Sequence, residues 1–293
     1  MMLENNENFK FGRYKLPAEF PYITREFITS LCDLTFQERI EKIYFFLSGK
    51  KLDETAFSKL DNAEFPLSLV TVDHGLAVLE LNDGYSANYT DYIFVNDGGV
   101  GEILSLSSII ISAYVDLVYG GMLNNGETFN LCFNGADGRL LLASYVCKLA
   151  KLPINTLIIG ADKPTLKTLN DAYIQQLQKG DCEVLISGVF EELDYLLDPV
   201  SAVGLVSYDL YYDDYEDDKL TVLLALASPH LFSRQVLKTV SGINEISVEK
   251  ASEKLSELSA LDIPSNIKNK KIQPFFAINS PITLNDALDI IKR

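Results

Sequence analysis

The sequence predicts an α/β fold built on a largely parallel sheet. Short β-prone apolar runs alternate with amphipathic helical patterns over most of the 293 residues, and this alternation is typical of strands joined by crossover helices. The central example is Phe129 to Asp162, in which an apolar run, a glycine turn, a helical pattern and a second apolar run follow one another. This order predicts a parallel strand–helix–strand unit around which the rest of the chain is organised.

The glycine turn of this unit is the main candidate site. Gly135 and Gly138 precede a helical pattern that runs from Arg139 to Leu149 and is ended by Leu152-Pro153. A turn that opens a helix in this way directs backbone N–H groups and the positive end of the helix dipole at one point, where a phosphate is stabilised. The same spacing also serves many α/β chains simply to change direction, so the residues alone leave both a phosphate site and a plain turn open.

The composition disfavours several classes of partner. The net charge is −16, from 41 acidic against 25 basic residues, which opposes binding to nucleic acids and anionic membranes because both bind basic surfaces. Four cysteines without C-x-x-C spacing predict free thiols in a reducing compartment. The N-terminus lacks the apolar core of a signal peptide, and no apolar run reaches membrane-spanning length. We therefore expect a cytoplasmic protein that contacts neither nucleic acid nor membrane.

The first 65 residues predict a helical segment that packs on an α/β core formed by residues 66–293. Thr35 begins a capping box, the apolar residues after it fall on one helix face, and Gly49 is placed to end the helix. Two apolar runs within Val70 to Leu81, split by a turn, predict a hairpin at the start of the core.

The other elements continue the alternation of helices and strands. In chain order they are a short helix over 53–60, helices over 104–119 and 165–178, a strand over 183–187, helices over 189–197 and 198–211, a strand over 221–227, a helix from there to about 240, a helix over 248–258, a strand over 275–278 and a last helix from Thr283. The acidic stretch YYDDYEDD, residues 211–218, predicts a solvated loop, because it lacks the ligand spacing of a cation-binding loop. We therefore assign no metal site.

Several stretches resemble threonine synthase, in the order that this family has them. They are VLELNDGYSANYTD at 78–91 (family pattern VLELFHGPTLAFKD), a helix at 105–119 similar to the one that begins NSINWAR, FNGADGRLLL at 133–142 (PTGNFGNILA), EVLISGVFEEL at 183–193 (DILVSSNFERL), YLLDPVSAVG at 195–204 (YLLDPHTAVG) and TVLLALASPHLF at 221–232 (VVLATAHPAKF). The resemblance runs from about Leu16 to the C-terminus. It implies the parallel-rich, three-layer α/β fold of the tryptophan-synthase-β kind, which is fold type II of the pyridoxal-phosphate enzymes. It also implies pyridoxal phosphate as the family cofactor and a connection with threonine biosynthesis.

The departures from the family fall on its chemistry. The family lysine that forms the Schiff base with pyridoxal phosphate aligns with Thr90, and a hydroxyl cannot form that bond. No lysine occurs between Lys59 and Lys148, so no neighbour replaces it. Only Tyr92 to Ile103 stands where the family has a small mobile domain, which implies that this domain is largely deleted. We therefore assign no catalytic residue.

The glycine turn has also changed relative to the family. An acid now stands inside it at Asp137, and an acid there repels a phosphate, although Arg139 offsets part of the repulsion. The candidate cofactor-binding residues are the remnant of the phosphate loop, Asn134, Gly135, Ala136, Asp137 and Gly138. Further family positions with chemical roles are occupied here by Ser112, Glu192, Val200, Leu226 and Ser228.

Three hypotheses follow. The first is a threonine-synthase-like pseudoenzyme that binds no cofactor and serves as a regulatory or partner-binding protein, alone or as a homo-oligomer. The second is an active threonine synthase or related lyase, in which a lysine from the C-terminal half reaches a site near Tyr89 and Asp91. The third is a small-anion binding module that uses Asn134 to Arg139 without covalent chemistry. The aromatic residues Tyr85, Tyr89, Tyr92 and Phe94 are expected to fill much of the former cleft.

Overall fold

The structure is a computed structural model that describes residues 9–11, 14–17, 19–52, 67–72, 76–81, 100–161, 169–177, 180–225, 227–259, 261, 263 and 282–292. A small antiparallel pair is formed by β1 (Phe9–Phe11) and β2 (Tyr14–Leu16). The main sheet has the strand order β3-β4-β8-β5-β6-β7. Its strands are β3 (Leu67–Val72), β4 (Leu76–Leu81), β5 (Phe129–Asn134), β6 (Ile154–Ala161), β7 (Ala172–Gln176) and β8 (Thr221–Ala225).

Neighbouring strands of the main sheet are parallel, except in the β3–β4 hairpin. Val78 pairs with Leu223, and Leu131 pairs with Val222. Strand β8 therefore lies between β4 and β5, although it comes last of the six in sequence. The predicted α/β fold with a largely parallel sheet and the predicted hairpin are both confirmed.

Helices cover both faces of the main sheet. They are α1 (Arg25–Thr29), α2 (Phe36–Ser48), α3 (Val100–Tyr119), α4 (Gly138–Leu149), α5 (Asp181–Leu193), α6 (Pro199–Tyr215), α7 (Ser233–Ser241), α8 (Val248–Ser259) and α9 (Leu284–Ile291), with a 3-10 turn at Pro229–Phe232. Along β5, Leu131 and Phe133 join one core with α2, α3, α4 and α9, whereas Cys132 joins a second core with α5, α6, α7 and α8. Successive side chains of a strand point to opposite faces of the sheet, so helices pack on both faces and the protein has three layers, helix, sheet and helix. None of the described helices combines the length and apolarity needed to cross a membrane.

The N-terminal helix α2 forms as its sequence predicts and is tied to α3. The Glu38 N–H donates to the Thr35 hydroxyl at 3.3 Å, the Thr35 N–H donates to the Glu38 carboxylate at 2.9 Å, and Gly49 ends the helix with φ +68°. Arg39, which is 2% exposed, pairs with Asp116 of α3 at 2.5 Å. A buried cation that lost this partner would be strongly destabilising, so the pair fixes how α2 meets α3.

The chain after β6 contradicts the predicted helix over 165–178. Where it is described, this stretch is strand β7, which pairs in parallel with residues 157–161 of β6. Its side chains alternate, since Ala172 and Ile174 pack against one core and Tyr173 against the other. The helical prediction failed because the pairing with β6 is a tertiary contact, and such contacts override local pattern.

The next stretch contradicts a second prediction. The predicted strand over 183–187 and the predicted helix over 189–197 are one helix, α5, which ends at Leu193. Ile186 is fully buried, and the partly buried Leu185, Val189 and Phe190 pack beside it against the same core. A short apolar run such as VLIS fits a buried strand or one side of a helix, and periodicity alone does not separate the two.

The remaining predictions are confirmed where the structure describes the chain. These are the helices at 104–119, from Asp198-Pro199, after Ser228, near 248–258 and from Thr283, together with the strand that begins at Thr221. The helix predicted over 53–60 and the strand predicted over 275–278 lie outside the described residues.

Only the end of the acidic stretch 211–218 is a loop. The loop prediction is therefore wrong for residues 212–215, which continue the predicted helix. Helix α6 continues to Tyr215, and Glu216 ends it in the left-handed conformation with φ +48°. The rings of Tyr211 and Tyr215 lie 5.0 Å apart and cover the last turn of the helix. Aromatic contact therefore extends the helix into a stretch of high negative charge.

Asp217, in the loop that follows, joins the amino ends of two strands to α6. Its carboxylate accepts hydrogen bonds from the Asn130 amide at 3.0 Å, the Tyr211 hydroxyl at 2.8 Å and the Lys219 ammonium at 3.1 Å. Burial opposes its ionisation, but the hydrogen bonds from Asn130, Tyr211 and Lys219 outweigh burial and lower the pKa of Asp217 to about 2.

We expect Asp217→Asn to lower the free energy of unfolding by about 2 kcal/mol at pH 7. The pKa of the carboxyl is lower in the folded state than the value of about 4 in the unfolded chain. The stabilisation is therefore complete above about pH 4 and is lost as the pH falls through about 2. Urea unfolding across this range checks the effect, since the difference between wild type and variant should close at low pH. Asp218→Asn, at an exposed neighbour, is the control. A difference that stays constant with pH would contradict the assignment.

Candidate anion turn at the carboxyl edge of the sheet

The candidate site lies where the parallel strands end. Strand β5 ends at Asn134, and the turn 134–138 leads directly into α4. The first turn of α6 lies beside it, because the Asn134 amide donates to the Val200 carbonyl at 2.9 Å. In open α/β sheets, ligands bind in the crevice outside the carboxyl ends of the strands. The sequence therefore placed the candidate turn at the edge where a ligand is expected.

Backbone donors of the turn are used within the protein. The Gly135 N–H donates to the Gly160 carbonyl at 2.8 Å, and the Ala136 N–H donates to the side-chain oxygen of Asn134 at 2.8 Å. The Gly138 N–H donates to the Ile282 carbonyl at 3.0 Å. These donors point at protein acceptors, and a phosphate at the turn would have to compete with those acceptors.

The start of α4 already holds an anion, which is the carboxylate of Asp137. Asp137 is the N-cap residue, and its Oδ1 accepts from the Arg139 N–H at 3.0 Å. The Arg139 guanidinium closes on the same carboxylate, with Nε at 2.9 Å from Oδ1 and Nη2 at 2.5 Å from Oδ2. Both side chains are buried, with 7% of Asp137 and 5% of Arg139 exposed. Charge-assisted, two-point bonds of this kind are among the strongest in proteins.

A second carboxylate caps the neighbouring helix. Asp198 is buried at the N-cap of α6 and accepts from the Val200 N–H at 2.8 Å, from the Ser201 N–H at 3.0 Å and from the Ser201 hydroxyl. Burial raises the pKa of Asp198 to about 6, against the hydrogen bonds that favour its charged form. Both helix N-termini joined by the Asn134–Val200 contact are thus capped by side chains of the protein.

The C-terminal part of the chain covers the turn. We call Ile282 and Thr283, which precede α9, the C-terminal strap. A Cβ atom added at Gly138 would lie 2.3 Å from the Thr283 carbonyl oxygen, so only glycine fits there. Helix α9 holds the strap in place, because Leu288 and its apolar neighbours are buried in the same core as α4. Sequence reasoning found the start of α9 at Thr283 but had no signal for this contact.

The structure brings together only part of the predicted site. The five turn residues and Val200 lie at one place, as described above. Ser112 lies elsewhere, in the contact between α2 and α3, where its hydroxyl accepts from Arg39 at 3.2 Å. Glu192 is exposed near the end of α5, and Ser228 caps the 3-10 turn after β8. Outside the described residues lie Thr90, Tyr89, Asp91, Leu226 and the aromatic residues Tyr85, Tyr92 and Phe94.

The two described lysines that follow the turn most closely in sequence, Lys148 and Lys151, lie at the other end of α4. Lys148 stands near the C-terminal end of α4, where it donates to the Asn155 carbonyl at 3.2 Å and lies 3.7 Å from Asp171. That end of α4 is at the amino edge of the sheet, opposite the turn. No group of three or more His, Cys, Asp or Glu side chains in the described part of the chain is arranged to hold a metal ion.

Comparison with known proteins gives a clear result at the level of fold. No protein-family model matches the chain, and no curated protein matches its sequence. Solved structures of threonine synthases do match. The yeast enzyme is 12% identical, with a TM-score of 0.59 over 85% of this chain and 88% of that one. The Escherichia coli enzyme is 11% identical, with a TM-score of 0.60 over 85% and 88% of the two chains. The pyridoxal-phosphate-bound enzyme of Brucella melitensis is 12% identical, with a TM-score of 0.57 over 84% and 93%.

These matches confirm, as a similarity of fold, the resemblance inferred from sequence. The mixed α/β arrangement with its parallel sheet is that of threonine synthases. At such low identity the match establishes the fold alone, and what the site does has to be argued from its residues.

Proposed function

We propose that the protein is a threonine-synthase-like pseudoenzyme that neither binds pyridoxal phosphate nor catalyses its chemistry, and that it acts in the cytoplasm through a protein partner. The observation that carries this proposal is the buried Asp137–Arg139 pair at the start of α4. A phosphate at this turn would have to displace the carboxylate from Arg139 and would then lie beside a second negative charge. Breaking a buried ion pair costs about 3–5 kcal/mol, so the residues of the turn do not fit a phosphate.

The resemblance to the family adds two independent arguments. Thr90 stands at the position of the cofactor-binding lysine, and the segment Tyr92 to Ile103 replaces the small domain that closes over substrate. The small domain is, on this proposal, largely deleted. Loss of the lysine, of the lid and of the phosphate turn would each impair catalysis separately, and all three together leave a scaffold with no retained catalytic group.

The second candidate is an active threonine synthase, and the fold match with a pyridoxal-phosphate-bound enzyme favours it. It requires a lysine that reaches the carboxyl edge of the sheet. The described lysines on the central unit, Lys148 and Lys151, lie at the other edge, which counts against this candidate. The small-anion binding module is disfavoured by the same contacts that disfavour the cofactor, because Gly135, Ala136 and Gly138 already donate to protein acceptors.

Cofactor binding is tested directly with purified protein and pyridoxal phosphate. We expect no visible absorbance band of lysine-bound cofactor, and we expect borohydride reduction to leave no cofactor mass on any peptide. A functional threonine synthase treated in parallel is the positive control. A reducible adduct that maps to one lysine at equimolar cofactor would overturn the pseudoenzyme proposal in favour of the active enzyme.

A matched variant distinguishes the effect of the missing lysine from the effect of the closed turn. Thr90→Lys restores the amine while leaving the turn unchanged. Because Asp137 and Arg139 still close the start of α4, we expect this variant to gain no tight cofactor binding. Tight, reducible binding by Thr90→Lys would show that the missing lysine alone explains the loss and that the closed turn does not prevent phosphate binding.

A further inference from the structure

A groove runs between α5 and α7 in the outer helical layer, on the opposite face of the sheet from α4. Its volume is about 730 Å³, and it opens to solvent. Ile186 buries the inner side of α5, which leaves Val184 on the outer side with 76% of its surface exposed. Ile243, just after α7, is 36% exposed at the other wall. Val184 and Ile243 thus leave aliphatic surface exposed on the two walls of one groove, and a partner seated there would remove that surface from water.

The two walls of the groove carry opposite charges. Glu183 stands beside Val184 on the α5 wall, whereas Arg234 and Lys238 stand one turn apart on the α7 wall. In the described part of the chain, none of these three side chains forms an ion pair, so the charges do not neutralise each other across the groove. With Glu245 at its end, the groove is lined by two acidic and two basic side chains. The groove is therefore locally neutral in a protein whose net charge is −16.

We propose that this groove is the surface through which two copies of the chain associate about a two-fold axis. A two-fold interface brings the same patch of both copies together, so residue i of one copy meets residue j of the other and j meets i. The acidic α5 wall of each copy then faces the basic α7 wall of its partner, and Glu183 of each pairs with Lys238 and Arg234 of the other. Local neutrality of the groove allows this contact despite the negative charge of the two whole proteins.

The apolar residues fit the same arrangement. Val184 projects from the α5 ridge of one copy and would lie against Ile243 and Ile246 of the other, which line the groove. Removal of these aliphatic surfaces from water supplies the attraction, and the paired charges fix the orientation. The inference is independent of the proposed loss of catalysis, because no residue of the groove belongs to the anion turn.

Charge exchange tests the proposal in the full-length chain by sedimentation velocity over a range of concentrations. We expect wild type to be a reversible dimer. Glu183→Lys and Lys238→Glu should each weaken the dimer at least about tenfold, because each replaces symmetry-related attractions in both copies by repulsions. The double variant that carries both changes should recover part of the loss, because it restores the attraction between positions 183 and 238 and leaves Arg234 opposite a positive charge. Lys50→Glu makes the same charge change as Lys238→Glu, but at an exposed residue outside the groove, and should leave the dimer intact.

A second variant tests the apolar contact. Val184→Ser changes a largely exposed side chain, so the melting temperature of the monomer should stay the same. The dissociation constant of the dimer should be larger than that of wild type. Wild type that remains monomeric at about 100 μM would overturn the proposal. A dimer that is indifferent to both single charge changes would also overturn it, because the association would then use another surface.

Discussion

Asp137→Asn is expected to lower the free energy of unfolding by about 3–5 kcal/mol, and added inorganic phosphate is expected to restore part of that loss. The amide keeps the shape of the side chain, and its oxygen still accepts from the Arg139 N–H. What it removes is the negative charge opposite a guanidinium that is 5% exposed. A buried cation left without its partner is the costly outcome. Phosphate can supply the missing charge at the helix N-terminus, where anions are stabilised.

Asp198→Asn is the matched control for this experiment. Both residues are buried N-cap aspartates at the same edge of the sheet, but within the described part of the chain Asp198 accepts from N–H groups and a hydroxyl and from no cation. Burial raises the pKa of Asp198 to about 6, so a neutral amide is better tolerated there. We expect a smaller loss, of about 1 kcal/mol, and no response to phosphate. Thermal unfolding of both variants with and without phosphate checks the prediction. A phosphate response equal in the two variants would show that Asp137 does not occupy an anion site.

The elements that the sequence predicted well are those that local chemistry determines. The capping box at Thr35, the left-handed Gly49 and the proline that starts α6 each act within a few residues, and all three are found where expected. Strand β7 and the last turn of α6 were missed because distant parts of the chain decide them. Ala172–Gln176 is a strand because β6 lies beside it, and Tyr215 stays helical because its ring packs on Tyr211 and Tyr173.

The candidate site shows the same division. Sequence reasoning identified the turn 134–138 and recognised that Asp137 opposes a phosphate, because both follow from residues adjacent in the chain. It treated Arg139 as a partial offset, whereas the guanidinium binds the carboxylate directly. It had no means of finding Ile282 or the contact of Asn134 with Val200, since both connect parts of the chain that lie far apart in sequence.

Gly138→Ala is expected to destabilise the protein by about 3 kcal/mol, although alanine normally stabilises a helix relative to glycine by about 0.5–1 kcal/mol. The new Cβ atom would lie 2.3 Å from the Thr283 carbonyl oxygen and 3.0 Å from that of Ile282. Both are backbone atoms, so relief requires movement of the whole strap. That movement breaks the Gly138–Ile282 hydrogen bond and displaces α9 from the core it shares with α4. The steric cost therefore exceeds the gain in helix propensity.

Gly188→Ala provides the control with the opposite sign. Gly188 lies within α5, and a Cβ atom added there would meet nothing within 4 Å, so the helix gains about 0.5–1 kcal/mol without a clash. Chemical denaturation of both variants gives the two values. Amide hydrogen exchange should show faster exchange in α9 for Gly138→Ala and unchanged exchange there for Gly188→Ala, because only the first disturbs the strap. If Gly138→Ala were as stable as wild type with α9 still protected, the strap would not press on the turn, and the closed state of the anion turn would depend on the Asp137–Arg139 pair alone.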